Sequence, residues 1–214
     1  DTTKFNALPM IYTGLFPLLL SLIYFTLRSV PLKVKLANAI LLAFIVSSFY
    51  LQPLDLFWQG MHAPNMFLHR YAWAFSVILI LLACEALSRQ EEFTRQKIGI
   101  AFLLLSLLLT SPYFFTQHYD FLTPSLFFLN FAFLTAYIIL LIASKNKQVP
   151  LSFLISFTLI FTVLEASLNT YYQLNGIHQE WGFPTRQGYN RHLKDIDKLV
   201  KSVSKPVSYT HLTL

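Results

Sequence analysis

Six apolar runs, each about as long as a membrane's hydrocarbon core is thick, divide this chain and leave little between them. They cover residues 8–27, 36–57, 71–87, 98–116, 126–144 and 151–174. About 20 helical residues at 1.5 Å each cross a core of roughly 30 Å. With no water inside that core, the backbone must satisfy its own N–H and C=O groups, which a helix does. The expected fold class is therefore all-α, a polytopic transmembrane helical bundle with about six spans. Charged residues make up only 12% of the 214, against roughly 25% in soluble domains. The lipid bilayer is the first expected partner.

The net charge of +6 is not read as a nucleic-acid footprint, because the basic residues sit in short connections and a terminal tail. Arg28, Lys33 and Lys35 follow the first run. Arg89, Arg95 and Lys97 follow the third, and Lys145 and Lys147 follow the fifth. The second connection has only Arg70, and the fourth, QHYDFLTPS, has no Lys or Arg. Basic connections stay on the cytoplasmic side. The expected topology is multi-pass in a bacterial plasma membrane, with both ends of this chain and the 59–70 and 117–125 connections outside. Pro9, Gly14 and Pro17 predict a kink in the first helix.

The transmembrane region is expected over residues 1–174. Gly176, Gly182, Pro184 and Gly188 mark 175–188 as a loop. Leu193, Ile196, Val200 and Val203 then recur at helical spacing among charges. Residues 175–206 read as the start of an extracytoplasmic domain with an amphipathic helix. The first helix of a soluble domain and a membrane-surface helix both fit; Asp195 and Asp197 oppose the second. The opening DTTKFN reads as the interior of a longer protein. Residues 207–214, VSYTHLTL, resemble translated sequencing-adapter read-through and are expected to be non-native.

One cysteine, Cys84, cannot form an internal disulfide and reads as a small packing residue. No zinc spacing, Gly-rich phosphate loop, GxSxG or HExxH occurs, so neither metal nor cofactor is implied. Ionisable groups within spans each need a partner or a purpose. Glu85, four residues before Arg89, is explained by an i,i+4 pair. Glu165 lies roughly 21 Å along the sixth run, with Asn169 one turn on and Tyr172 beyond. Its two readings are a hydrogen bond between helices and a share in an outward-facing polar cavity.

The second connection, QGMHAPNMFLHRY over 59–71, is the most polar island between two runs. With the fourth connection it gathers Asp55, His62, Asn65, His69, Arg70, His118, Tyr119 and Asp120 at one predicted side. His62 and His118 read as loop residues, and Asp120 as either a general base or a solvated acid. Arg70 is a fork suited to phosphate or carboxylate, or a snorkelling interfacial anchor.

The stretch HAPNMFLHRYAWAFS resembles the YfhO family of bacterial membrane proteins. Asn65, Phe67, Arg70, Tyr71 and Phe75-Ser76 match the family's pattern, whereas Met66, Leu68 and His69 depart from it. EASLNTY, from Glu165 to Tyr171, is a second match, and 189–203 resembles the opening of the family's external domain. The resemblance covers 36–205. It implies an integral membrane glycosyltransferase of the GT-C type. Such a protein moves sugar from a polyprenyl-phosphate carrier to a cell-wall polymer acceptor, such as teichoic acid, on the outer face. The implied substrate contacts are Asn65, His69, Arg70, Tyr71, Glu165 and Asn169, with Arg70 on the donor phosphate and Asn65 orienting sugar or phosphate. The family's catalytic carboxylate is expected upstream of residue 1, so no catalytic residue is assigned here. The rival readings are a transporter or lipid flippase built on Glu165 and Asn169, and a non-catalytic membrane scaffold.

Overall fold

The computed structural model describes residues 11–62, 69–118, 123–181 and 185–202. Among them every regular element is helical. In chain order these are α1 (Leu15–Tyr24), α2 (Leu32–Tyr50), α3 (Gln52–Trp58), α4 (Ala72–Ser88), α5 (Arg95–Thr110), α6 (Pro124–Ala143), α7 (Leu151–Trp181) and α8 (Arg186–Ser202). Short 3₁₀ turns follow α4 and α5. The chain divides into two compact units, residues 1–166 and 167–214.

Among the described residues four helices are long and apolar enough to cross a membrane: Leu32–Tyr50, Arg95–Phe114, Pro124–Ala143 and Leu151–Gly176. The other two expected spans are shorter apolar helices, Leu15–Tyr24 and Ala72–Ser88. The difference in the first has a local cause. Gly14 has φ +82° and ψ 152°, a region open essentially to glycine alone, and the helix starts only after it. Pro17 then falls in the first turn, where its missing N–H costs nothing. Among the described residues, Gly14 and Pro17 thus start a helix rather than kink one; Pro9 lies outside them.

The second expected span, 36–57, is two helices. Leu51 is extended (φ −101°, ψ 107°) and Pro53 opens α3. Proline cannot continue a helix without clashing with the carbonyl one turn back, so α2 ends at Tyr50 and the chain turns. The 175–188 loop is also shorter than expected, since α7 runs through Gly176 to Trp181. A single mid-helix glycine costs only about 1 kcal/mol. Helix α8 coincides with the expected amphipathic segment up to Ser202; residues 203–214, including the suspected tail, lie outside the described residues.

In the first unit α1 is the central helix. Leu19, Leu20, Ile23 and Tyr24 are all but fully buried, and α1 packs on α4, α5 and α6. Ala83 and Ala86 of α4 and Ala101 of α5 are buried. Such small residues let helix backbones approach where no hydrophobic force separates protein from lipid. By contrast α2 exposes Leu36, Ile40, Leu41 and Phe44, the surface a lipid-facing helix presents. Cys84 is exposed on α4, so it does not pack in the core as its apolar surroundings predicted. The Arg89–Glu85 pair forms as expected.

The three basic connections meet at one end of this unit. Glu92 accepts from the Arg28 amide at 2.8 Å and the Ser29 amide at 3.3 Å, and Lys97 Nζ lies 3.6 Å from its carboxylate. Lys35 Nζ donates to the Leu27 carbonyl and Lys145 Nζ to that of Gln90. The Glu92 carboxyl is pulled from 4.5 to about 2 by the Ser29 hydroxyl, then the Arg28 amide, with Lys97 adding attraction. Because the folded value lies below the unfolded one, this contribution is present above pH 4.5 and is lost as pH falls toward 2. Thermal unfolding in detergent is expected to show Glu92→Gln less stable than wild type at pH 6, with the gap closing below pH 3. A gap that does not change with pH overturns the assignment.

Candidate functional site

Two polar clusters occupy the first unit, each built around one buried carboxylate. The first forms because Pro53 turns the chain. Helix α3 folds back so that Trp58 Nε1 donates to Ser48 Oγ at 3.1 Å, and Ser48 Oγ donates to the Phe44 carbonyl at 2.8 Å. Tyr71, just before α4, donates its hydroxyl to the Ser48 carbonyl at 2.7 Å. That carbonyl lies near the end of α2, where helical acceptors lose their intrahelical donors. Tyr71 is sandwiched between Phe49 (5.4 Å, 10°) and Trp58 (5.2 Å, 17°). The end of α2, α3 and the start of α4 are thereby locked by one aromatic stack.

Asp55 sits behind this stack, only 3% exposed. Its Oδ1 accepts from Gln59 Nε2 at 3.2 Å. His69 Nδ1 lies 3.3 Å from the same oxygen, an ion-pair distance without hydrogen-bond alignment. Asp55 Oδ2 and His69 Nδ1 are both buried without an aligned hydrogen-bond partner among the described residues, and the Tyr71 hydroxyl also stands close enough to the Asp55 carboxylate to interact with it. The backbone is held against its preference here: Met61 and His69 have φ of 62° and 53°, values that cost most non-glycine residues about 1–2 kcal/mol. His69 meets Phe49 edge-on at 5.7 Å.

The second cluster joins three helices. Glu165 of α7 is 7% exposed. Its Oε1 accepts the Leu15 amide at 2.8 Å and lies 3.5 Å from the Tyr12 hydroxyl. Its Oε2 accepts the Tyr137 hydroxyl of α6 at 2.7 Å. Helix α1 has no side-chain cap of its own, so Glu165 supplies a carboxylate to its N-terminus from another helix. This carboxylate satisfies an orphan N–H and complements the helix dipole. Ten residues of helix span about 15 Å, about half the roughly 30 Å of a hydrocarbon core.

Among the described residues of the first unit, the expected substrate contacts fall into the two clusters. His69, Arg70 and Tyr71 are consecutive and belong to the first cluster's end of the bundle, with Arg70 exposed and Tyr71 buried in the stack. Glu165 belongs to the second cluster and shares no partner with the first. Its inter-helix reading is the one realised. Asn169 is half-buried further along α7, in the second unit. Asn65 and Asp120 lie outside the described residues, and His62 is exposed. Asp55 is the residue that sequence reasoning undervalued, as one polar group among several. Pro53, two residues before it, carried the signal that the span breaks there. Among the described residues no three His, Cys, Asp or Glu stand together as metal ligands.

A family model for the bacterial membrane protein YfhO matches residues 1–210. The chain belongs to the YfhO family. The match is wider than the 36–205 stretch on which the resemblance was based. No curated protein and no solved structure matches the chain. Within this YfhO family chain, Glu165 acts first as a structural cap. Glu165→Ala would leave the Leu15 amide and Tyr137 hydroxyl without an acceptor, at about 1–3 kcal/mol for each buried orphan. A melting-temperature drop of several degrees is expected in detergent, with Glu165→Gln intermediate because it keeps one acceptor oxygen. An unchanged melting temperature in Glu165→Ala would show that the cap is dispensable.

Proposed function

We propose that the full-length protein is an integral membrane glycosyltransferase of the GT-C type. It takes sugar from a polyprenyl-phosphate carrier and attaches it to a cell-wall polymer, such as teichoic acid, on the outer face of the bacterial plasma membrane. In this reading α1 and α4 complete a six-span bundle, and the catalytic carboxylate lies upstream of residue 1. Residues 175–206 open an extracytoplasmic domain.

The observation that carries the proposal is Arg70, an exposed cation next to a buried polar cluster in a member of the YfhO family. A guanidinium at headgroup depth matches a phosphate through paired N–H donors. It stabilises the charge that grows on the phosphate as the sugar leaves. Asn65 orients the sugar or phosphate in this reading.

The sidedness rests on charge. The basic connections converge at the Glu92 end, which positive-inside placement puts in the cytoplasm; α4 then carries Arg70 to the opposite side. A transporter or flippase is the second reading. It is favoured by the start of α1 inside the membrane region, a discontinuous-helix feature of transporters. Against it, Glu165 is already occupied by donors from this chain.

Arg70→Ala in the full-length protein, expressed at wild-type level, is expected to lower polymer glycosylation roughly hundredfold. Unchanged glycosylation would sink the role of Arg70. Movement of labelled carrier across the membrane without transfer to polymer would favour the flippase. For topology, a cysteine-free background carrying His62→Cys is expected to react with an impermeant maleimide on intact cells. Asn146→Cys is expected to react only after permeabilisation; the reverse pattern inverts the assignment.

A further inference from the structure

The three basic connections that meet at the Glu92 end carry eight lysines and arginines between them. Four of the eight are committed to the fold. Lys35, Lys97 and Lys145 donate to the main-chain carbonyls of Leu27, Glu92 and Gln90, and Arg89 pairs with Glu85. The other four are Arg28, Lys33, Arg95 and Lys147, all exposed. No hydrogen bond or ion pair engages their side chains among the described residues.

Helix stability does not account for these cations. Lys33 and Lys35 fall in the first turn of α2, and Arg95 and Lys97 in that of α5, with no acidic residue in either turn. A cation at a helix N-terminus opposes the macrodipole, and both helix starts add partial positive charge to the same end. The acids nearby are already matched. Glu85 pairs with Arg89, Glu92 lies beside Lys97, and Glu91 acts on Lys145. An excess of positive charge is left at the surface. Next to it the helices expose apolar side chains: Leu36 and Ile40 on α2, Ile100 and Leu103 on α5, Leu151 and Ile155 on α7. Lys33, Leu36 and Ile40 follow one another along a single face of α2.

We infer that this end of the bundle binds the headgroup of an anionic diacyl phospholipid. Arg28, Lys33, Arg95 and Lys147 share its phosphate, and its acyl chains lie along the apolar faces that begin about one helical turn away. Guanidinium and ammonium groups both bond phosphate oxygens, and basic groups at the ends of spanning helices recognise anionic lipids in this way. A zwitterionic lipid is disfavoured because its own ammonium offsets the phosphate. A free phosphate is disfavoured because it forfeits the apolar contact. The inference rests on the four cations and the adjoining helix faces, and it is independent of the chemistry proposed for Arg70.

The test uses full-length protein in a neutral detergent, with bound lipid read by native mass spectrometry and by melting temperature. The probes are dioleoyl phosphatidylglycerol, dioleoyl phosphatidylcholine and glycerol 1-phosphate. Phosphatidylglycerol is expected to bind about tenfold more tightly than phosphatidylcholine. Glycerol phosphate is expected not to displace it. Arg28→Gln/Lys33→Gln and Arg95→Gln/Lys147→Gln are each expected to weaken phosphatidylglycerol roughly tenfold, because each cation near an anionic headgroup contributes about fivefold. Each double variant leaves six of the eight basic residues in place, so the positive-inside signal survives. Neutralising Arg186, Arg191 and Lys194 of α8 is expected to leave binding within about twofold.

Equal affinity for the two lipids overturns the inference, and so does unchanged phosphatidylglycerol affinity in both double variants. Full displacement by glycerol phosphate assigns the cations to a soluble anion and overturns the lipid. An equal loss in the α8 variant reduces the effect to net charge and overturns the site. Should the double variants fail to fold, wild type alone decides. A roughly tenfold rise in salt is expected to remove the preference for phosphatidylglycerol, since exposed charges are screened; a preference that salt does not change overturns it.

Discussion

The first unit depends on a carboxylate that meets the start of its central helix. Helix α1 is only ten residues long, and its first amide, that of Leu15, is buried. Glu165 satisfies this amide from another helix and also accepts the Tyr137 hydroxyl. An isolated charge at this depth costs several kcal/mol. The same charge, placed on a helix N-terminus and bonded on both oxygens, is largely compensated. Gly14 is the other half of the device. A side chain there would stand 3.5 Å from the Pro17 ring and 3.7 Å from the Glu165 carboxylate, and its φ of +82° forbids most residues. The glycine and the glutamate, 151 positions apart in sequence, fix where α1 begins, and α1 in turn sets where α4, α5 and α6 pack.

The two ends of the unit solve different problems. At the Glu92 end, polar groups lie at the surface, and lysines reach back to helix-terminal and loop carbonyls. Lysine stems can extend along apolar surface while the ammonium finds polar partners, so this end tolerates charge cheaply. At the Asp55 end the polar groups are buried. Burial there requires a wall, and the stack of Phe49, Tyr71 and Trp58 provides it. Three rings from three segments hold the turn, while the Tyr71 hydroxyl and the Trp58 indole satisfy atoms of Ser48. The rigidity of this end therefore comes from aromatic packing together with hydrogen bonds to one residue.

What was legible in the sequence follows from which forces act locally. Length and apolarity placed the hydrophobic runs, and charge spacing gave the Glu85–Arg89 pair and grouped the connections that meet around Glu92. The Asp55 fold-back was not read, because hydropathy averages across Pro53 and reports one span where the backbone breaks. The start of α1 was misread for a related reason: Gly14 and Pro17 look like interruptions until the partner that caps the helix is known. Glu165 was recognisable as costly from its depth, but the identity of its partners is tertiary information. Cys84 shows the reverse error, since an apolar run predicts burial in protein and in lipid equally well, and only packing distinguishes the two.

Asp55 and Glu165 invite comparison because both are carboxylates with less than 10% exposure. Their environments nevertheless point in opposite directions. Glu165 has both oxygens bonded to groups of its own chain, so a ligand would have to displace a helix cap to reach it. Asp55 has Oδ1 held by Gln59 and faces His69 and the Tyr71 hydroxyl, while Oδ2 meets no aligned donor among the described residues. Satisfaction of lone pairs, rather than burial or charge, therefore separates the two acids. The same criterion applies to the histidines: His62 is exposed to solvent, whereas His69 is bent into a strained backbone beside Asp55. His69 thereby puts an imidazole within 3.3 Å of the buried carboxylate.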